Sequence, residues 1–189
     1  MEYNCQAMLQ ELMDKEAIRD CLYRYCRGID RADEEVLRTA YWPDAHDRHG
    51  AYVGNVEGFF AQALPRLRSG GRGVHQISNI LIELHGDIAA VESSFLALQT
   101  NGATPTHETF LCGRYLDRFE KRRDHWRIAD RIVVYDWIEE RTRRELAQDN
   151  DNLFGKRQPN GGRLLKDPLY AFLTAVRAQA DPTSQKDHI

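Results

Sequence analysis

Apolar residues recur at helical spacing from the start of the chain. Ile18, Leu22, Tyr25 and Ile29 fall on one stripe, so the pattern predicts a helix over 6–29 that ends near Gly28. At about 100° per residue, Asp30 lies close to Leu22 and Cys26, on the margin of that stripe. A carboxylate turned inward from such a position needs a partner. "DEEVLRTAY" predicts a second, short helix with Asp33 as its N-cap. "WPDAHDRHGAYVGN" is rich in turn formers and predicts one short strand. "VEGFFAQALPRLRSGG" predicts a third helix, kinked or shortened by Pro65 and closed by Gly70 and Gly71.

After residue 72 the period changes from helical to alternating. "GVHQISNILIELHGD", "IAAVESSFLALQTNG", "THETFLCGRYLDRFEKRRD" and "HWRIADRIVVYDWIEER" predict four strands joined by turns at "HGD", "NGATP" and "RRDH". Helices followed by an antiparallel meander give an α+β fold rather than a doubly wound one. Residues 145–163 carry no period and predict a linker. Asp167–Pro168 opens a terminal helix with apolar Leu169, Phe172, Leu173 and Val176, and the tail beyond Asp181 is expected to fray. The predicted organisation is a main domain over 1–144 and a linker with a helical tail over 145–189.

Composition narrows the class. The chain of 189 residues is long enough for one domain with a sizeable core. Its net charge of −3, with both signs interspersed, gives no basic footprint for nucleic acid. "MEYNCQAMLQ" is not a secretory signal, and no apolar run approaches a membrane span. Four irregularly spaced cysteines fit neither a disulfide scaffold nor a zinc ribbon. A soluble cytoplasmic protein is expected.

His75 is the first candidate for chemistry. Alternation in the first long strand puts His75, Ile77, Asn79 and Leu81 on one face and Val74, Ser78, Ile80, Ile82 and Leu84 on the other. A sheet curled around the helices would enclose His75 with the edge of the first helix. Asp30 could then fix one imidazole nitrogen and leave the other as a base. The alternative is a core histidine bonded to a backbone carbonyl. In the last strand, Ala129, Arg131, Val133 and Tyr135 share a face. A buried arginine there either pairs with a carboxylate such as Asp117 or Glu108, or meets an anion. "DAHDRH" matches no zinc signature, and a strand turns His46 and His49 to opposite sides, so no metal is expected. One or two of its side chains would line a pocket mouth. Trp42, Phe110, Tyr115 and Tyr135 are core or pocket wall. Asn79, roughly 13 Å along the strand from His75, could touch a long ligand or tie down a loop. Val91, Phe95 and Leu98 are candidates for an outward apolar patch.

The order of three helices and a meander, with "YCRGID" ending the first helix and "HQISN" opening the first long strand, resembles the SnoaL-like branch of the nuclear transport factor 2-like superfamily. "YWPDAHDRHGAYVGN" and "HWRIADRIVVYDW" fit that branch too, and the resemblance spans roughly 8–140. It implies a cone: a curved antiparallel sheet closed by N-terminal helices around an apolar pocket. Scytalone dehydratase, bile-acid 7α-dehydratase and γ-hexachlorocyclohexane dehydrochlorinase in this group are cofactor-free lyases with a His–Asp pair, which Asp30 and His75 match. Tyr25 matches a tyrosine of the bile-acid enzyme five residues before the aspartate; the dehydrochlorinase has a lysine there. Arg131, five residues after Trp126, matches the dehydrochlorinase's last-strand arginine.

The resemblance therefore implies a dehydratase-type elimination on a hydroxylated alicyclic, steroid-like or polyketide-like apolar molecule. Tyr25, Asp30, His75 and Arg131 would be catalytic; Trp42, His49, Asn79, Phe110 and Tyr135 would bind substrate. No metal or cofactor is implied, and a homo-oligomer is expected, a trimer ahead of a dimer. Isomerisation is a chemical variant. The alternative is a non-catalytic ligand-binding domain or a scaffold like a dioxygenase small subunit.

Overall fold

The computed structural model describes residues 5–69, 71–100, 107–142, 159 and 161–180. It divides into two compact units, Met1–Arg143 and Arg144–Ile189. The first holds three helices, α1 (Cys5–Arg31), α2 (Glu34–Arg38) and α3 (Val56–Arg68). It also holds six strands, β1 (Tyr41–His49), β2 (Tyr52–Asn55), β3 (Gly73–His85), β4 (Ile88–Thr100), β5 (His107–Arg122) and β6 (His125–Thr142). The second contains a 3-10 turn, Leu164–Lys166, and α4 (Pro168–Ala180), whose first turn is held by the Asp167 carboxylate accepting from the Leu169 N–H at 3.0 Å.

The strands form one curved, unclosed sheet in the order β2-β1-β6-β5-β4-β3. Every neighbouring pair is antiparallel except β1 and β6, which run parallel. The stretch predicted as one short strand is a hairpin of two, because Gly50 adopts φ +63 and turns the chain between them.

Gly28 does not end α1. The helix runs on to Arg31, and a Cβ at Gly28 would lie 2.8 Å from the Cα and Cβ of Leu37. The glycine is there so that α2 can press against α1. Asp33 caps α2 as predicted, accepting from the Val36 N–H at 3.1 Å. Pro65 stands in the last turn of α3, which continues to Arg68.

The core lies between α1, α3 and the inner face of the sheet. Ile18, Leu22, Tyr25 and Ile29 are all buried, as their period predicts, against Phe59, Phe60, Val91, Phe95, Tyr115 and Ile128. Val91 and Phe95 are therefore inner residues, since β4 turns Ala89, Val91, Ser93, Phe95 and Ala97 inward. Leu98 faces out. The turn at 101–105, the helix end at Gly70, the linker up to residue 158 and the tail after 181 lie outside the described residues.

Candidate active site

The last turn of α1 carries Asp30 to the start of β3. There its carboxylate holds His75 twice: Oδ1 lies 2.6 Å from the ring Nδ1, and Oδ2 accepts the His75 backbone N–H at 2.9 Å. A carboxylate only accepts, so Nδ1 carries the ring proton and the neutral ring keeps its lone pair on Nε2. The side chains are 6% and 12% exposed for His75 and Asp30. The pair is sheltered without being sealed.

Strand register surrounds it with apolar groups. His75, Ala97, Leu111 and Ile138 form one row across the sheet, and Ile77, Phe95, Gly113 and Tyr135 form the next. Ile77, Ile80, Leu111 and Tyr135 are only partly buried, so apolar inner surface stays accessible beside the dyad. Tyr135 meets Phe95 edge-on, with ring centroids 6.3 Å apart.

Deeper in, Arg131 is fully buried. Its Nε and Nη2 donate to the two oxygens of Asp117, each at 2.7 Å, so the carboxylate pairing left open by the sequence is the one formed. The guanidinium lies 4.1 Å from the ring centroids of both Tyr25 and Tyr115. Burial alone would lower the guanidinium's affinity for its proton, but the Asp117 charge and hydrogen bonds hold it firmly cationic. Tyr25 is also buried, and desolvation pushes its hydroxyl well above the ordinary phenol range. Cys26 links the two clusters. Burial and then the Asp30 charge push its thiol up to about 12, while Arg131 pulls the other way.

Trp42, Phe110 and Asn79 do not face the inner surface beside the dyad. Trp42 donates its indole N–H to the Glu120 carbonyl at 3.0 Å and lies between Arg122 and Arg127. Its neighbour Tyr41 stands in a row with Ile128, Phe119 and Ala89, eight residues along β4 from Ala97, or roughly 27 Å from the row of His75. Phe110 pairs with Leu98 on the outer face. Asn79 is exposed because β3 has a bulge between Ser78 and Leu81, with Asn79 at φ +47. The extra residue shifts the phase, so Ile80, Ile82 and Leu84 follow Ile77 inward and Asn79 and Leu81 do not. His49 does face inward, stacked on Phe59 with centroids 4.9 Å apart.

Sequence reasoning missed Asp47 as a buried group. It is fully buried and accepts from the Tyr41 hydroxyl at 2.7 Å. The available signal was its place two residues before His49, on the same strand face. Among the described residues no group of three or more His, Cys, Asp or Glu side chains is arranged to hold a metal ion.

The model of the SnoaL-like domain matches residues 10–132. A search of curated proteins finds no match. Among solved structures, a hexachlorocyclohexane dehydrochlorinase, LinA type 2, superposes with a TM-score of 0.66 at 20% identity, covering 74% of this chain and 96% of that one. A protein provisionally assigned as a scytalone dehydratase from Novosphingobium aromaticivorans gives 0.63 at 20% identity, over 71% and 91%. The β subunit of a protein provisionally assigned as an aromatic-ring-hydroxylating dioxygenase from the same organism gives 0.54 at 22%, over 68% and 93%. At these identities the likenesses speak for the fold.

Proposed function

We propose, from the premise that this chain belongs to the SnoaL-like domain family of the nuclear transport factor 2-like superfamily, that it is a cofactor-independent lyase. Its reaction is a dehydration-type elimination on a hydroxylated alicyclic, steroid-like or polyketide-like molecule. The observation that carries this reading is the double hold of Asp30 on His75 beside accessible apolar surface.

A carboxylate that fixes Nδ1–H both orients the ring and stabilises the imidazolium formed when Nε2 takes a proton. The proton removed is one made acidic by a neighbouring or vinylogous carbonyl. Tyr25 would donate to that carbonyl, and Arg131 would stabilise the enolate through its cationic field. Tyr135 and His49 line the substrate side. Moving one proton without losing a group would make the same site an isomerase.

The test is to incubate the pure protein with a panel of cyclic β-hydroxy ketones and follow enone absorbance, with His75→Ala as control. Enone formation that His75→Ala abolishes supports the reading; formation that survives it overturns the dyad. A scaffolding role is the second reading, favoured by the fold likeness to the dioxygenase β subunit. It predicts that a larger iron-containing subunit co-purifies from the native host. We further propose a homo-oligomer assembled through the outer sheet face, a trimer ahead of a dimer.

A further inference from the structure

We propose that Asp47 and His49 form a second His–Asp couple in the same cone, and that His49 protonates the leaving hydroxyl while His75 removes the carbon-bound proton. This rests on the lyase reading above and adds the acid that such a reaction needs.

The couple stands on β1, where Tyr41, Ala45, Asp47 and His49 face inward. The Tyr41 hydroxyl fixes Oδ2 of Asp47 at 2.7 Å, which leaves Oδ1 directed at Nδ1 of His49, 3.5 Å away. Both of these facing atoms are buried and have no hydrogen-bond partner, and neither has Nη1 of Arg131, whose backbone pairs with that of Asp47. Buried polar atoms are nearly always satisfied. A proton on Nδ1 lets Oδ1 and Nδ1 answer one another, and the Nη1–H of Arg131 on the adjoining strand is left to donate to an acceptor such as a substrate hydroxyl oxygen. Stacking on Phe59 fixes the plane of the His49 ring, and its side chain remains 26% exposed.

Helix α1 borders both couples: Asp30 on its last turn holds His75, and Tyr25, five residues earlier, meets edge-on the Tyr41 ring whose hydroxyl holds Asp47, with centroids 5.9 Å apart. In the reaction, Nε2 of His75 takes the proton and the C–H electron pair becomes the new C=C bond. The C–O bond breaks with its pair on oxygen, and that oxygen takes the Nε2 proton of protonated His49 and leaves as water. The two imidazoles then return to their starting states by proton exchange with solvent. Asp47 acts as a positioning residue, holding Nδ1–H.

The decisive comparison is between two leaving groups. The probes are 3-hydroxycyclohexanone, whose hydroxyl needs a proton to leave, and 3-acetoxycyclohexanone, whose acetate does not. His49→Gln should lose at least tenfold more rate on the hydroxy probe than on the acetoxy probe, whereas His75→Ala should lose similar amounts on both. Asp47→Asn should show the His49 pattern more weakly. Equal losses in His49→Gln on the two probes, or no loss on the hydroxy probe, would overturn the second couple and leave the His75 base intact. Turnover of neither probe by the wild type, or undiminished turnover by His75→Ala, would overturn the lyase reading and this inference with it. Imidazole 15N spectra of the wild type supply a check that needs no substrate. Neutral His49 should carry its proton on Nδ1, and a proton on Nε2 would refute the pairing.

Discussion

His75 depends on a single carboxylate for both its ring orientation and its backbone position, which makes the pair a unit. His75→Ala should cost roughly 10²–10⁴ in rate, the range expected for losing a general base. Asp30→Asn should cost a comparable amount, because an amide can present a donor to Nδ1 and reverse the tautomer. The double variant should be little worse than either single, since groups that act together are not additive; independent losses that multiply would separate the two residues. Tyr25→Phe should cost less than either, as it removes only a hydrogen bond to the carbonyl. Arg131 makes a different prediction. Arg131→Met strands Asp117 as an unpaired charge in a fully buried site, so it should cost about 3–5 kcal/mol of stability in denaturant titration. The contact was legible in the sequence because helical phase puts Asp30 on the stripe's margin, alternation puts His75 on a covered face, and the family resemblance pairs the two. Asp47 was not, because its place on the strand face of His49 shows a side but not burial, and the Tyr41 hydroxyl that holds it comes from six residues earlier.

Elements place these residues, and two contacts control the placement. Gly28 lets α2 close on α1 two residues before Asp30. Gly28→Ala gains about 1 kcal/mol in helix propensity but sets a methyl 2.8 Å from Leu37 backbone, and such overpacking costs about 1–3 kcal/mol. The clash should win, lowering both the melting temperature and the activity; a more stable, fully active variant would refute the close approach. In the first half of α1, Asp14 accepts the Trp126 indole N–H at 2.8 Å and a Lys121 Nζ–H at 3.0 Å. Burial alone would raise its carboxyl, but hydrogen bonds from Trp126, Lys121 and Gln10 hold it below the ordinary aspartate value. A carboxyl depressed in the folded state contributes stability above its unfolded pKa and loses it as pH falls through the folded value. Asp14→Asn should therefore flatten the acid limb of the stability profile read by tryptophan emission, and an unchanged limb would remove Asp14 from that account. The four long strands were legible from alternation, and their faces only as far as the first bulge; the β1–β2 hairpin was expected as one short strand. Asn79 in β3, and Ala129 and Asp136 in β6, are extra residues opposite a single partner. Alternation assigns faces correctly before such a point and inverts them after it. That is why His75 and Ile77 were assigned correctly while Asn79 and Leu81 were not.

At the scale of the whole molecule, the sheet has two different faces. The inner one holds the two ionic clusters and the core. The outer one exposes Val74, Leu81, Leu96, Leu98 and Trp137, with Leu96, Cys112 and Trp137 in one row and Val74, Leu98 and Phe110 in the next. Contiguous apolar rows of this kind cost free energy in water and usually mark an interface. A second and third copy of the chain are the proposed cover. Light scattering at micromolar concentration should give three times the chain mass of 21.9 kDa. Leu98→Glu with Trp137→Ala puts a charge into the middle of the two rows and should shift the mass toward a single chain without melting the inner face, as far-UV circular dichroism would show. A wild-type monomer would rule out the outer face as an interface. An unchanged oligomer in the double variant would place the contact elsewhere, and the exposed stripe of Phe172 and Val176 on α4 would be the next surface to alter.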